Sequence, residues 1–191
     1  MSEPAPRQAL QQRVAATILD GAAQIFAIQG EQASMNDVAE AAGVARATVY
    51  RYFPNREALL DELARAAVSD VDARLASARI DEVAPEEGIA RAVRALVDVG
   101  DSFVLLARER MRSDPERFER KLIQPLRRLF ERGQVSGDFR DDIAGARLTE
   151  SLIALTVGVL TSTPALGKED MTATITGLFL DGARARRPRL R

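Results

Sequence analysis

The chain has 191 residues, 46% of them hydrophobic and 29% charged, and its 27 basic and 28 acidic side chains leave a net charge of −1. That composition describes a folded chain of one or two small domains rather than a disordered one. With no cysteine and no histidine, it excludes disulfide frameworks, thiol chemistry, Cys/His zinc sites and histidine acid–base catalysis.

In chain order, the first predicted element is a helix over residues 13–28, where Val14, Ile18, Ala22, Ile25 and Phe26 recur at helical spacing and Gly30 provides the stop. Ser34, with Asp37 three residues on, predicts a capping box that opens a short helix over 35–42, closed by Gly43. Another short helix follows over 45–52 and ends ahead of Pro54, because the residue before a proline avoids the helical region. Asn55 caps a long helix whose apolar stripe is Leu59, Leu60, Leu63, Val68, Val71 and Leu75. Pro85, Glu86 and Glu87 read as the first turn of a helix running to Arg110, with Gly100 as the place where it splits. Pro115 starts the next segment, built on Phe118, Leu122, Leu126, Leu129 and Phe130, which Pro125 should kink or divide.

A polar, glycine-bearing loop is expected over 133–142, then two helices, "AGARLTESLIALTVGVLTS" and "KEDMTATITGLFLDGARAR", and a fraying basic tail, "RARRPRLR". No alternating run is long enough for a strand, so the expected fold is all-α, with about nine helices. It comprises an N-terminal three-helix domain with a helix-turn-helix over 1–55 and a C-terminal helical bundle over 56–191. The first residues lack the apolar core of a signal peptide, and no stretch approaches the ~18 apolar residues of a membrane span. A cytoplasmic protein with no membrane partner, no cofactor and no metal is expected.

The paired short helices carry the functional signal. Two short helices joined by a glycine-bearing turn form a helix-turn-helix. Ala39 suits the close approach of the pair, and Val38, Val44, Val49 and Phe53 are the residues that seal it against the first helix. Arg46, Ala47, Thr48, Tyr50 and Arg51 then fall on the outer arc. From the spacing alone two readings stand: a helical corner with a solvated charged face, or a recognition helix for the major groove. Tyr50 and Tyr52 beside Arg46, Arg51 and Arg56, with no acid among them, favour the second. Arginine can bind the guanine O6 and N7 edge, and hydroxyls can hold phosphates.

The stretch "ILDGAAQIFAIQGEQASMNDVAEAAGVARATVYRYFPNREALLDEL" resembles the N-terminal domain of the TetR family of bacterial transcriptional regulators. The likeness rests on "ILDGAAQIFAIQG", "DVAEAAGVARATVYRYF" and "NREALL", and covers about a quarter of the chain. It implies that Arg46, Ala47 and Thr48 contact bases and phosphates at the start of the recognition helix. Tyr50 is implied to pack on the DNA backbone and Tyr52 to bind phosphate; Arg51 is counted with the DNA-binding residues from its place on the outer arc. Arg56 is implied to reach the backbone from the start of helix four. Asn36 lies where some members read a base, and Ser34 matches a capping hydroxyl that can also meet a phosphate. Ala45 departs from the serine that many members have there and cannot cap the recognition helix.

The resemblance also implies a homodimer, paired through the last two helices on a palindromic DNA operator, and a pocket for a small-molecule effector. "SLIALTVGVL" is apolar around most of its circumference, and Ala154 and Gly158 permit close helix approach. The expected interface residues are Leu152, Leu155, Gly158, Val159, Ile175 and Phe179. The expected pocket walls are Val71, Leu75, Leu96, Phe103, Leu106, Met111, Phe118 and Leu122, which suit an apolar effector. The function expected is a DNA-binding repressor. The alternatives are a helical adaptor with a vestigial helix-turn-helix, or a regulator without an effector. An enzyme is not expected, since no nucleophile–base pair or phosphate-binding glycine loop is found.

Overall fold

The computed structural model describes residues 6–109, 115–162 and 167–185. It divides into two compact units, Met1–Ala66 and Ala67–Arg191.

The first unit contains α1 (Pro6–Gln29), α2 (Met35–Ala41), α3 (Arg46–Tyr52) and the first turns of α4 (Arg56–Ala78). The first helix begins at Pro6, well before residue 13. Proline is favoured at a first helical position, and the added turns carry Leu10 63% exposed, so no apolar stripe announces them. Ile18, Ala22, Phe26, Val38 and Val49 have at most 1% of their surface exposed and form the centre of this unit, with Ala39 and Phe53 beside them. Val44, expected to seal the pair, is only partly buried. At Gly21, α1 comes close to the backbone at the end of α2. A Cβ placed on Gly21 would lie 2.7 Å from the Ala42 backbone nitrogen.

The second unit takes the rest of α4, then α5 (Pro85–Val99), α6 (Asp101–Glu109), α7 (Pro115–Phe118), α8 (Gln124–Ser136), α9 (Gly145–Ser162) and α10 (Lys168–Ala183). Gly100, at φ +63°, ends α5 and starts α6, as its position suggested. Arg110–Asp114, which include the expected pocket residue Met111, lie outside the described residues. The segment opened by Pro115 is divided ahead of Pro125, where α8 begins as a separate helix from α7. A π-helical stretch, Glu119–Ile123, runs directly into α8, with Pro125 in its first turn. A proline ring drives into the carbonyl four residues back, and a widened turn just before it relieves that clash.

The loop expected at 133 begins only at Gly137, because α8 continues to Ser136. Gly133 is a packing residue inside that helix: an added Cβ would sit 2.2 Å from the Phe139 ring. Phe139 is itself 1% exposed and its ring centre lies 5.6 Å from that of Phe130 in a tilted contact, and Phe130 meets Phe179 at the same distance. The chain end is also pinned at its first residues. Arg184 pairs with Phe139 in an isolated antiparallel bridge, and its guanidinium grips both oxygens of Glu86, at 2.8 and 3.1 Å. The fraying expected of the tail therefore does not begin at Arg184; residues 186–191 lie outside the described set.

Candidate nucleic-acid interface

The helix pair owes its shape to local chemistry. Ser34 is the N-cap of α2: its hydroxyl accepts the Asp37 backbone N–H at 3.3 Å, and the Asp37 carboxylate accepts the Ser34 backbone N–H at 2.8 Å. This is the capping box read from the sequence. The Ser34 backbone N–H, and after it the Ser34 hydroxyl, hold the Asp37 carboxyl below its usual range. A carboxylate with a lowered folded value contributes stability that is fully present above the unfolded value and is lost as pH falls through the folded one. Acidification below the ordinary carboxylate range should therefore loosen the start of α2. An NMR titration should show the Ser34 amide shifting with the Asp37 carboxyl, and Asp37→Asn should abolish that step.

The turn follows from Gly43, whose φ of +64° a side chain rarely adopts. The Val44 N–H donates back to the Ala39 carbonyl at 3.0 Å, closing the corner. Ala45, as expected, gives α3 no side-chain cap, and its carbonyl instead accepts from the backbone N–H groups of Thr48 and Val49. Val49 is wholly buried and Phe53 nearly so, which fixes the rotation of α3.

That rotation leaves Arg46, Ala47, Tyr50 and Arg51 exposed, with Thr48 and Tyr52 half-buried beside them. The Arg46 guanidinium lies 5.4 Å from the Tyr50 ring centre, one helical turn on, and its Nη2 reaches the phenol oxygen at 3.5 Å. Arg51 lies 5.4 Å from the Tyr52 ring. Arginine over an aromatic face is held by the ring quadrupole, so the first-turn fork is aimed outward on an aromatic support. Described residues of α3 include no acid. Among them, this is a preformed cationic surface of the width of one short helix, the geometry that a major groove accepts.

Asn36 is exposed in the first turn of α2. Ser34 donates its one hydroxyl proton to Asp37 at 2.7 Å, so the hydroxyl offers a phosphate no proton in this arrangement. Arg56 is directed inward: its Nε donates to the Ala33 carbonyl at 3.4 Å and its guanidinium lies 4.9 Å from the Phe26 ring centre.

In the second unit, the expected pocket walls Val71, Leu75, Leu96, Phe103, Leu106, Phe118 and Leu122 are all at most 5% exposed and belong to one continuous core. A groove of about 460 Å³ lies elsewhere, lined by Ala73, Arg74, Ser77 and Ala78 of α4 and Arg91, Arg94, Ala95 and Asp98 of α5. Its size is that of a ligand site. Around it Arg74 meets Asp70, Arg91 meets Glu87, Arg94 meets Glu169 and Lys168 meets Asp98, so its ionic rim is balanced. Sequence reasoning missed these residues because their periodicity marks them as a solvated face.

Of the expected interface residues, Leu152 and Ile175 are wholly buried and Phe179 is 7% exposed, all within the core of their own unit. They cannot also face a partner without leaving it. Leu155 and Val159 are partly buried, and Gly158 is exposed. The outward faces carry Ala154, Gly158 and Thr161 on α9, and Thr174, Gly177 and Leu178 on α10. Leu178 is 62% exposed. Among the described residues no helix is long and apolar enough to cross a membrane.

Residues 18–63 match the profile of the family described as bacterial regulatory proteins, tetR family. The chain is 34% identical over 122 residues to the HTH-type transcriptional repressor LfrR of Mycolicibacterium smegmatis, a match that spans 61% of each chain. It is 28% identical over 138 residues to the HTH-type transcriptional repressor KstR2 of Rhodococcus jostii, covering 66% of this chain and 68% of that one. The structure of LfrR in complex with proflavine superposes with a TM-score of 0.71 at 22% identity, covering 91% of this chain and 97% of the other. That of AibR with isovaleryl coenzyme A and operator DNA gives 0.67 at 18%, covering 86% and 97%. At such identities the structural likeness is one of fold. The N-terminal match, carried by the same residues that build the helix pair, makes residues 18–63 similar to the DNA-binding segment of the tetR family of bacterial regulatory proteins.

Proposed function

We propose that the protein is a DNA-binding transcriptional repressor that acts as a homodimer on a palindromic operator and is released by a small molecule. The observation that carries this reading is the acid-free outer face of α3, with Arg46 supported on Tyr50 and Arg51 beside Tyr52. Arg46 reads a base edge, Ala47 and Thr48 contact bases and phosphate, and Tyr50, Arg51 and Tyr52 serve the backbone, with Asn36 at the margin. Residues 1–55 supply DNA binding, and 56–191 supply regulation and dimerisation in the cytoplasm. Relatives named as repressors, one solved with proflavine, and a fold neighbour solved with operator DNA support this assignment.

Two-fold pairing suits an operator with two half-sites. The exposed small residues of α9 and the exposed Leu178 of α10 are the surface for it. Leu178→Glu should convert the dimer to a monomer in sedimentation at micromolar concentration without lowering helix content; an unchanged dimer would move the interface elsewhere. For the effector, the groove between α4 and α5, with its alanine floor and ionic rim, suits an amphipathic small molecule better than a purely apolar one. The experiment that tests the function as a whole is selection of bound fragments from random duplex DNA. A two-fold symmetric site is expected; recovery of no enriched sequence would refute sequence-specific binding.

A further inference from the structure

We propose that Arg56 is a positioning residue that bolts the start of α4 to the helix pair, and that it does not hold DNA phosphate; this rests on the DNA-binding reading above. Three elements meet at this one side chain. Its Nε donates to the carbonyl of Ala33, which is 2% exposed and directly precedes the capping residue Ser34 of α2. Its guanidinium lies over Phe26, which is 1% exposed in the last turns of α1. Its own backbone opens α4, whose first turn is capped by Asn55, with the Ala58 N–H donating to Asn55 Oδ1 at 2.8 Å. One face of the cation is therefore on a buried ring and one edge on a buried carbonyl.

Arg46 and Arg51 show the opposite arrangement. Both are exposed and lie over tyrosines at the surface. Arg56 is half-buried over a core phenylalanine. Its planar guanidinium suits this site in a way that a lysine does not. An ammonium is a compact, strongly hydrated point charge with no Nε–H at mid-chain and no flat face to lay on a ring. A phosphate contact would make no such distinction, because lysine binds phosphate as a point charge.

The test compares Arg56→Lys and Arg56→Met with the full-length protein, using the best duplex recovered by the random-DNA selection. Positioning predicts that both variants lose about tenfold or more in affinity. It also predicts that hydrogen exchange at the Ser34 and Asp37 amides rises in both without DNA. The slope of log affinity against log salt should stay that of the parent. Overturning results are a lysine variant that keeps parental affinity, a methionine variant whose salt slope falls by about 1.8, the value of one phosphate per protomer on a two-fold site, or lost affinity with unchanged exchange at α2. If Arg56→Met does not fold, the lysine variant alone decides, by affinity and exchange together. Failure of the parent to select any duplex would count against the function proposed above, while the exchange comparison would still be read.

Discussion

Replacing Arg46 and Tyr50 together with alanine is expected to weaken duplex binding by about a hundredfold or more. A good arginine–guanine pair contributes ~1–3 kcal/mol of discrimination. A two-fold operator counts every lost contact twice, so even ~1.5 kcal/mol per protomer becomes ~3 kcal/mol per complex, or about a hundredfold. The fold should not notice. Both side chains are exposed, with Tyr50 at 39%, and exposed substitutions change stability by about 0.5 kcal/mol or less. The circular-dichroism melt should therefore hold within about 4 °C. Tyr50→Phe, which keeps the ring under Arg46 and removes the hydroxyl, should fall between parent and double variant. Parental affinity in the double variant would take the reading surface away from α3.

Gly21→Ala should produce the largest loss of stability for the smallest chemical change. Alanine within a helix gains ~1 kcal/mol over glycine from propensity alone. Here the new methyl group would sit 2.7 Å from the Ala42 nitrogen and 2.9 Å from its Cα. Both are backbone atoms at the end of α2, with no flexible side chain to swing aside. Overpacking of this kind costs about 3 kcal/mol, so the clash outweighs the propensity gain and leaves a net loss of ~2 kcal/mol. For a unit of some sixty residues that corresponds to a fall of roughly 8–16 °C in its melting transition. Relief requires α2 to move off α1, which re-aims α3, so duplex binding should fail below the melting point as well. A parental melt would mean that the two helices stand further apart than described here.

These two expectations differ in how much of them the sequence revealed. The outer arc of α3 was legible because Val49 and Phe53 are apolar at the spacing that turns Arg46, Tyr50 and Arg51 outward. The capping box at Ser34 and Asp37 and the break at Gly100 were legible because caps and glycine stops are written in adjacent residues. Gly21 was not legible, since a glycine inside an amphipathic helix shows no sign of which backbone it will touch. Gly133 misled for the same reason. Its neighbours are polar and it reads as a loop, while its partner, the Phe139 ring, reaches it from beyond the end of the helix.

The second unit shows the limit most clearly. Hydrophobic periodicity found Val71, Leu75, Leu96, Phe103, Leu106, Phe118 and Leu122, but periodicity marks burial and does not separate the wall of a cavity from a filled core. All seven fill the core. The groove lies instead between helix faces whose charges cancel in pairs. Leu152, Ile175 and Phe179, expected at the interface, are buried in the core of their own unit for a related reason. A helix that is apolar on most sides needs its strongest residues for its own core, and it leaves small ones such as Ala154 and Gly158 outside. Arg56 resembles a phosphate contact by its place in the sequence, and its contacts with Phe26 and the Ala33 carbonyl, which hold it half-buried, are not legible there.

The central claim is that α3 enters the major groove in two successive half-sites. Guanine N7 lies in that groove and nowhere else on the duplex, so methylation interference at N7 tests it most directly. On the duplex recovered by selection, methylation should block binding at two symmetry-related clusters about one helical turn, ~34 Å, apart, and Arg46→Ala should remove the effect at the guanines it reads. Binding indifferent to N7 methylation throughout the selected site, or blocked in a single cluster with no symmetry mate, would contradict the account.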